Sequence, residues 1–289
     1  MTESEGKAVA DTAFHVRFWG VRGSVPTPGA STVRYGGNTS CVEVLCGGRR
    51  IIIDGGTGLR VLGQAMMKEG AVEADILLSH THLDHIEGFP FFVPAFGAGN
   101  QFRIWAGHLL PETTLEKTLG RLMSAPLFPV PLEAFGQQVR YYDFRAGDRL
   151  ILSDAIRVKT AMLDHPNDAV GYRIEFGGRS ICYISDTCHR AGQTNHNIVN
   201  LIRGTELVIY DSMFNEVEFA DRPHWGHSTW EEAIRLAQLA GVKRLALFHH
   251  DPIRSDDDLD VLAATAAELR PGTLVAKEGQ TLDICAIAA

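Results

Sequence analysis

The stretch "ADILLSHTHLDHIEG" (residues 74–88) passes from an apolar run straight into His80, His82, Asp84 and His85. On an extended strand end, side chains two residues apart point the same way, so His80 and His82 can grip one ion together. Asp84 and His85 follow where the chain must turn, and they aim elsewhere. Four such ligands overfill a single tetrahedral site that still needs an open position. The spacing therefore points to two adjacent ions, completed by ligands from other parts of the chain.

Other runs end in the same manner. "RRIIIDGGTG", "IRVKTAMLDHP", "SICYISDT", "ELVIYDS" and "RLALFHHDP" each carry apolar or β-branched residues of strand length into Asp or His. That is the mark of a buried strand with a functional loop at its end. Together with residues 74–88 they suggest one crevice lined by the C-terminal ends of strands. His165 precedes Pro166, which biases it to an extended backbone. Asp186 follows a hydrophobic run and offers a carboxylate that can bridge two cations. His249 is the first residue after "RLALF".

Helices are expected between some of these strands. "STWEEAIRLAQLAG" offers Ser228 as cap with Glu231 as capping-box partner and Gly241 at the exit. "SDDDLDVLAATAAELRPG" places Asp256, Asp257 and Asp258 in a first turn and stops at Pro271-Gly272. A third helix is expected through "LRVLGQAMMKEG". Residues 111–131 read as a helix followed by a Pro-rich loop, a candidate wall of the crevice. Residues 1–13 read as a flexible tail and residues 14–289 as one domain built from two similar halves.

The chain of 289 residues carries a net charge of −8 and no dense Lys/Arg run, which argues against long nucleic acid as a partner. No apolar run is long enough to span a membrane. Five cysteines, an odd number without a CxxC pair, favour a reducing cytoplasm over a disulfide framework.

The set "HTHLDH", "LDHP", "ISDT" and "FHHDP", in that order, resembles the metal motifs of the metallo-β-lactamase-fold superfamily, and the resemblance runs from "RFWGVRGS" to "FHHDP". It implies that His80, His82 and His165 hold one ion, that Asp84, His85 and His249 hold the other, and that Asp186 bridges them. The last ligand falls on His249 or His250; His249 is taken because it comes first after the strand, as in the superfamily pattern. The expected fold is α/β (α+β): a four-layer αββα sandwich of two mixed sheets, with the dinuclear site at one edge.

"HWGHST" (residues 224–229) resembles the His-Ser-Thr motif of ribonuclease Z and its phosphodiesterase relatives. "GVRGSVPTPGASTVRYGGNTSCVEV" is similar to the opening of small bacterial members labelled cyclic-nucleotide phosphodiesterase-like. Two features depart from ribonuclease Z: there is no evident basic Gly/Pro-rich arm, and "VIYDSMF" stands where that family carries a His-Glu-Ala-Thr stretch.

The expectation is a metal-dependent hydrolase acting on a small phosphodiester such as a cyclic nucleotide. Ribonuclease Z-like RNA cleavage, thioester or lactone hydrolysis, and a non-hydrolytic iron-binding redox or sensor module are the alternatives. Two divalent ions are expected, zinc first, although His/Asp sites also accept manganese and iron. Asp84 and His227 are the expected catalytic residues, with His227 beside a helix N-terminus as proton donor to the leaving group. Asp211 is expected to orient His227, and Asp54 to hold a metal-bound His in its tautomer. Arg22, Asn38 and Thr39 either contact substrate or build the front loop. A homodimer is a further possibility.

Overall fold

The computed structural model describes residues 12–288, so all but the end of the expected tail over residues 1–13 lies outside the described residues. Six strands form in the first half: β1 (Phe14–Gly20), β2 (Cys41–Cys46), β3 (Arg49–Ile53), β4 (Glu73–Leu78), β5 (Gln101–Ala106) and β6 (Val139–Asp143). The second half supplies β7 (Arg149–Ile151), β8 (Arg157–Leu163), β9 (Ala169–Phe176), β10 (Arg179–Ile184), β11 (Leu207–Asp211), β12 (Arg244–Phe248) and β13 (Thr273–Val275). A last strand, β14 (Thr281–Asp283), returns to the first sheet and pairs with β1.

The sheet orders are β14-β1-β2-β3-β4-β5-β6 and β13-β12-β11-β10-β9-β8-β7. Both repeat one pattern. In the first sheet the pairs from β14 to β3 are antiparallel and those from β3 to β6 parallel. In the second, the pairs from β7 to β10 are antiparallel and those from β10 to β13 parallel. The two similar halves expected from the sequence are visible in this repeated pairing.

The helices are α1 (Thr57–Met66), α2 (Leu83–Ile86), α3 (Leu115–Leu122), α4 (His196–Ile202), α5 (Glu216–Ala220), α6 (Trp230–Leu239) and α7 (Asp256–Leu269). Burial explains the layering. Phe14, Val16 and Phe18 of β1 join Ile53, Tyr183, Ile209 and Phe248 in a core between the sheets. Ile52, Ile76 and Leu78 face outward and pack with Leu59 and Leu62 of α1 and Leu115 and Leu119 of α3. Ile184, Val208 and Leu247 pack with α4, α6 and α7 on the other outer face. Strands covered on both faces read as continuous apolar runs, which is why "IIID" and "DILL" show no alternation. The architecture is the expected αββα sandwich of two mixed sheets.

Two local expectations need correction. The helix of "STWEEAIRLAQLAG" is capped by Thr229, not Ser228: Thr229 is extended at φ −108°, and its hydroxyl accepts from the Glu232 N–H at 3.0 Å. Ser228 lies one residue too early: its carbonyl accepts from the Phe214 N–H at 3.1 Å in a β-bridge that pairs Phe214 with Thr229, and its hydroxyl pairs with His189 Nδ1 at 3.0 Å. Glu232, not Glu231, therefore occupies the third helical position, and it binds Arg235 instead of closing a capping box. The helix after "GGTG" ends at Met66, short of Gly70, because Met67 and Lys68 close the last turn. Among the described residues no helix is long and apolar enough to cross a membrane.

Candidate metal centre

Strand ends from both sheets meet along one edge. β3 leads to Asp54 and β4 to Ser79 and His80; β8 leads to His165, β10 to Asp186, β11 finishes at Asp211, and β12 delivers His249. The sheets are tied there: the Val170 N–H donates to Ser79 O at 2.8 Å, and the Tyr172 hydroxyl donates to Leu78 O at 2.5 Å. Sharp exits place the side chains. Among the described residues, the non-glycines with positive φ are Ser24, Asp54, Asn167, Asp168, Asp186 and His249. Every one is at this edge or adjacent to a residue that is. Asp and Asn tolerate the left-handed region better than most residues, yet each such position costs about 1–3 kcal/mol unless its surroundings fix it.

His80, His82 and His165 bring one ring nitrogen each within 4.8 Å of one another. His82 Nδ1 lies 3.0 Å from His165 Nε2, while His82 Nε2 meets Asn167 Oδ1 at 3.2 Å. His165 Nδ1 is held by Gly226 O at 2.7 Å, which turns Nε2 inward. Burial lowers the pKa of His80 and of His165, so both rings favour the neutral form that offers a lone pair.

Asp84, His85, Asp186 and His249 form a second set within the same spacing. His249 Nε2 and His85 Nε2 are 3.2 Å apart, and each lies within 3.3 Å of Asp84 Oδ2. Asp54 stands behind this set, fully buried. It accepts from Ser79 N–H at 2.7 Å, the Ser79 hydroxyl at 2.8 Å and the Tyr183 hydroxyl at 2.7 Å, and it faces His85 Nδ1 at 2.8 Å. His85 Nε2 is thereby aimed at the centre. Burial alone disfavours the His85 cation, but Asp84, Asp186 and Asp54 around it push its pKa well above the ordinary range. Despite the cost of burial, the rings of His249 and His85 hold Asp186 well below the usual carboxylate range. His250 points away: its Nε2 meets Ala276 O at 2.9 Å, and burial lowers its pKa to about 3.

Asp186 connects the sets. Its Oδ1 lies 3.3 Å from His85 Nε2 and 3.2 Å from His249 Nε2, while its Oδ2 lies 3.8 Å from His80 Nε2 and 3.7 Å from His165 Nε2. Next to it, His227 Nδ1 sits 3.1 Å from Asp211 Oδ2; the Thr187 N–H donates to that same oxygen and the Met213 N–H to Oδ1, each at 3.2 Å. Burial works against the His227 cation, but Asp211 and then Asp186 outweigh it and raise its pKa to about 9. His227 lies two residues ahead of the Thr229 cap of α6.

This donor set fits metal ions. His80 Nε2 is buried without a hydrogen-bond partner among the described residues, and an unpaired buried group costs about 1–3 kcal/mol. The carboxylates of Asp84 and Asp186 are buried beside these rings, and His/Asp donors suit borderline divalent cations.

Several contributors were invisible in the sequence because they act across the fold. Ser24 N–H donates to Asp84 Oδ2 at 2.7 Å, and Asn167 and Gly226 hold His82 and His165. The Asn-Asp pair after Pro166 and the glycine before His227 were the available signals. Arg22 has a loop-building role: fully buried, it donates to the carbonyls of Gly36, Asp251 and Arg254.

Fold and cluster together define a metal-dependent hydrolase of the metallo-β-lactamase type. The family model of the beta-lactamase superfamily domain matches residues 49–250, and the chain belongs to that superfamily. It is 24% identical to a ribonuclease Z of Bradyrhizobium sp. (strain ORS 278), over 94% of this chain and 100% of that protein. The metallo-beta-lactamase fold protein YhfI from Bacillus subtilis superposes with a TM-score of 0.70 at 19% identity, covering 94% of this chain and 99% of its own. A diphosphatase of the PhnP family superposes with a TM-score of 0.65 at 17% identity, covering 94% and 97%.

Proposed function

We propose that residues 14–289 act as one unit that hydrolyses a small phosphodiester, such as a cyclic nucleotide, at a dinuclear centre. The carboxylate of Asp186 carries this reading, because each of its oxygens faces a different ligand set. His80, His82 and His165 would hold one divalent ion and Asp84, His85 and His249 the other, with zinc the first choice of metal. Paired divalent ions supply an activated water nucleophile and a clamp for the oxygens of a phosphoryl centre.

The chain's own residues do the rest. Asp54 fixes the His85 ring, and Gly226 O fixes His165. His227, held by Asp211, keeps a proton on its ring at neutral pH and donates it to the leaving oxygen. The His227 ring and the Asp211 carboxylate are both buried, which shields that proton.

A second reading, cleavage of RNA, is favoured by the ribonuclease Z relative that matches along 94% of the chain. Turnover of cyclic nucleotides and of a precursor tRNA by the metal-loaded protein separates the two. Cleavage of the cyclic nucleotides alone is expected; cleavage of the tRNA alone would replace the first reading with the second.

The front loop gives a further test. A Cβ on Gly23 would lie 2.4 Å from Cε1 and Nδ1 of His249 and 2.6 Å from the Met213 methyl. Met213 can yield, but the ring is expected to turn off its axis. Gly23→Ala should therefore weaken binding of one ion of the two by about 10–100-fold, the usual cost of disturbing a ligand's support. Chelator competition with metal counting measures this, and wild-type affinity for both ions would remove His249 from the ligand set.

A further inference from the structure

Alongside His165 lies a cavity of about 760 Å³. It is bounded by the turn after β8, the loop after β10, and α5 with the turn that follows it. Small-molecule sites run from about 300 to 1,000 Å³, and a phosphate group alone would leave most of this space empty. His165 is common to the cavity wall and to the candidate metal centre, so the two lie on either side of one ring.

The lining decides what fits. Pro166, Phe219 and Pro223 give it apolar faces. His189 stacks on Phe219 with ring centroids 4.1 Å apart and planes at 14°, and the Ser228 hydroxyl pins its Nδ1. Both rings are thus held in the wall before any ligand arrives, with Phe219 buried and a margin of His189 open to the cavity. Arg190 is the one cation of lysine or arginine type among the lining residues, and its guanidinium stands 3.9 Å from the Asp164 carboxylate. Glu216 adds a second carboxylate to the rim, accepting from the Thr229 hydroxyl at 2.9 Å. A second phosphate would meet a single lysine- or arginine-type cation, which the Asp164 carboxylate already approaches. An uncharged flat group carrying N–H donors would meet apolar walls, a fixed aromatic stack and carboxylate acceptors.

We infer that this cavity seats a nucleobase with its sugar while the phosphodiester lies against the metal centre, making the substrate a mononucleotide diester and not a long strand. This rests on the phosphodiesterase reading above and names the half of the substrate that the metals do not touch.

Ala220, exposed at the end of α5, lines the cavity, and tryptophan there would fill it. Two measurements on metal-loaded protein test the inference. First, adenosine, which has no phosphodiester, should bind wild-type protein in calorimetry and bind Ala220→Trp at least about tenfold more weakly, the scale of one lost base stack. Second, the ratio of KM for 3′,5′-cyclic AMP to KM for methyl 4-nitrophenyl phosphate should rise by about the same factor in the variant. Adenosine binding that is absent, or equal in both proteins, overturns the inference, as does an unchanged KM ratio. If neither diester is turned over while adenosine binds and the variant weakens it, the pocket stands and the phosphodiesterase reading falls. Ala191→Trp, on the opposite loop, repeats the test should Ala220→Trp fail to fold.

Discussion

Asp186→Asn is expected to strip the protein of metal. Asparagine keeps the shape of the side chain and tolerates the left-handed backbone at φ 54°, so the substitution removes charge and leaves the turn intact. Alanine at the same place would add backbone strain and blur the result. The carboxylate faces both ligand sets, with four imidazole nitrogens between 3.2 and 3.8 Å. Disturbing the partner of a single ligand costs about 10–100-fold in metal affinity. Removing a charge proposed to be shared by two ions should exceed about 100-fold on the same scale. Metal analysis after dialysis against a weak chelator reads this directly, with circular dichroism to show that the fold persists. A fully loaded Asp186→Asn protein would contradict the bridging role. Asp186→Ala should lose metal too, with an additional loss of stability from the strained turn.

The second large effect is expected at His227. Its ring is buried, paired with Asp211 at 3.1 Å, and keeps its proton at neutral pH because two carboxylates outweigh the cost of burial. A positioned acid contributes about 10²–10⁴-fold when the leaving group needs a proton. His227→Ala should therefore slow cyclic nucleotides by a factor in that range. Nitrophenyl diesters, whose leaving group departs unprotonated, should lose far less. Metal content should stay at the wild-type level, since His227 stands outside both triads of rings and carboxylates in the proposed ligand sets. Parallel kinetics on the two substrate classes, with metal counted in the same samples, decide the matter. Equal losses on both classes would deny His227 the role of acid, and lost metal would make it a ligand.

The strand ends were readable from the sequence because burial on both faces writes long apolar runs, and those runs stop where the chain becomes polar. Ile51 to Ile53 and Ile76 to Leu78 mark β3 and β4 for that reason. The pairing of strands was not readable. Nothing local states that β14 lies beside β1, or that β10 stands between β9 and β11. The cap of α6 was misread by one residue because Ser228 and Thr229 are both good caps, and the start of the helix is set by the bridge between Phe214 and Thr229, which joins two parts of the chain. Asp54 was legible as a support for a histidine but not as the acceptor of Ser79 and Tyr183, which arrive from two different sheets. Asn167 and Gly226 escaped notice for the same reason. A side chain that ligates declares itself by type and spacing, whereas one that holds a ligand needs only an oxygen in the right place.

The pairing of β14 with β1 has a consequence for synthesis. On the ribosome, β1 emerges before the other described strands, with Phe14, Val16 and Phe18 on one face and an open row of backbone N–H and C=O groups along its outer side. The strand that covers that row follows the entire second sheet. Until then the nascent chain presents an apolar, hydrogen-bond-hungry margin of the kind that recruits other chains. This late-closing seam is therefore expected to favour aggregation during expression until β14 is in place.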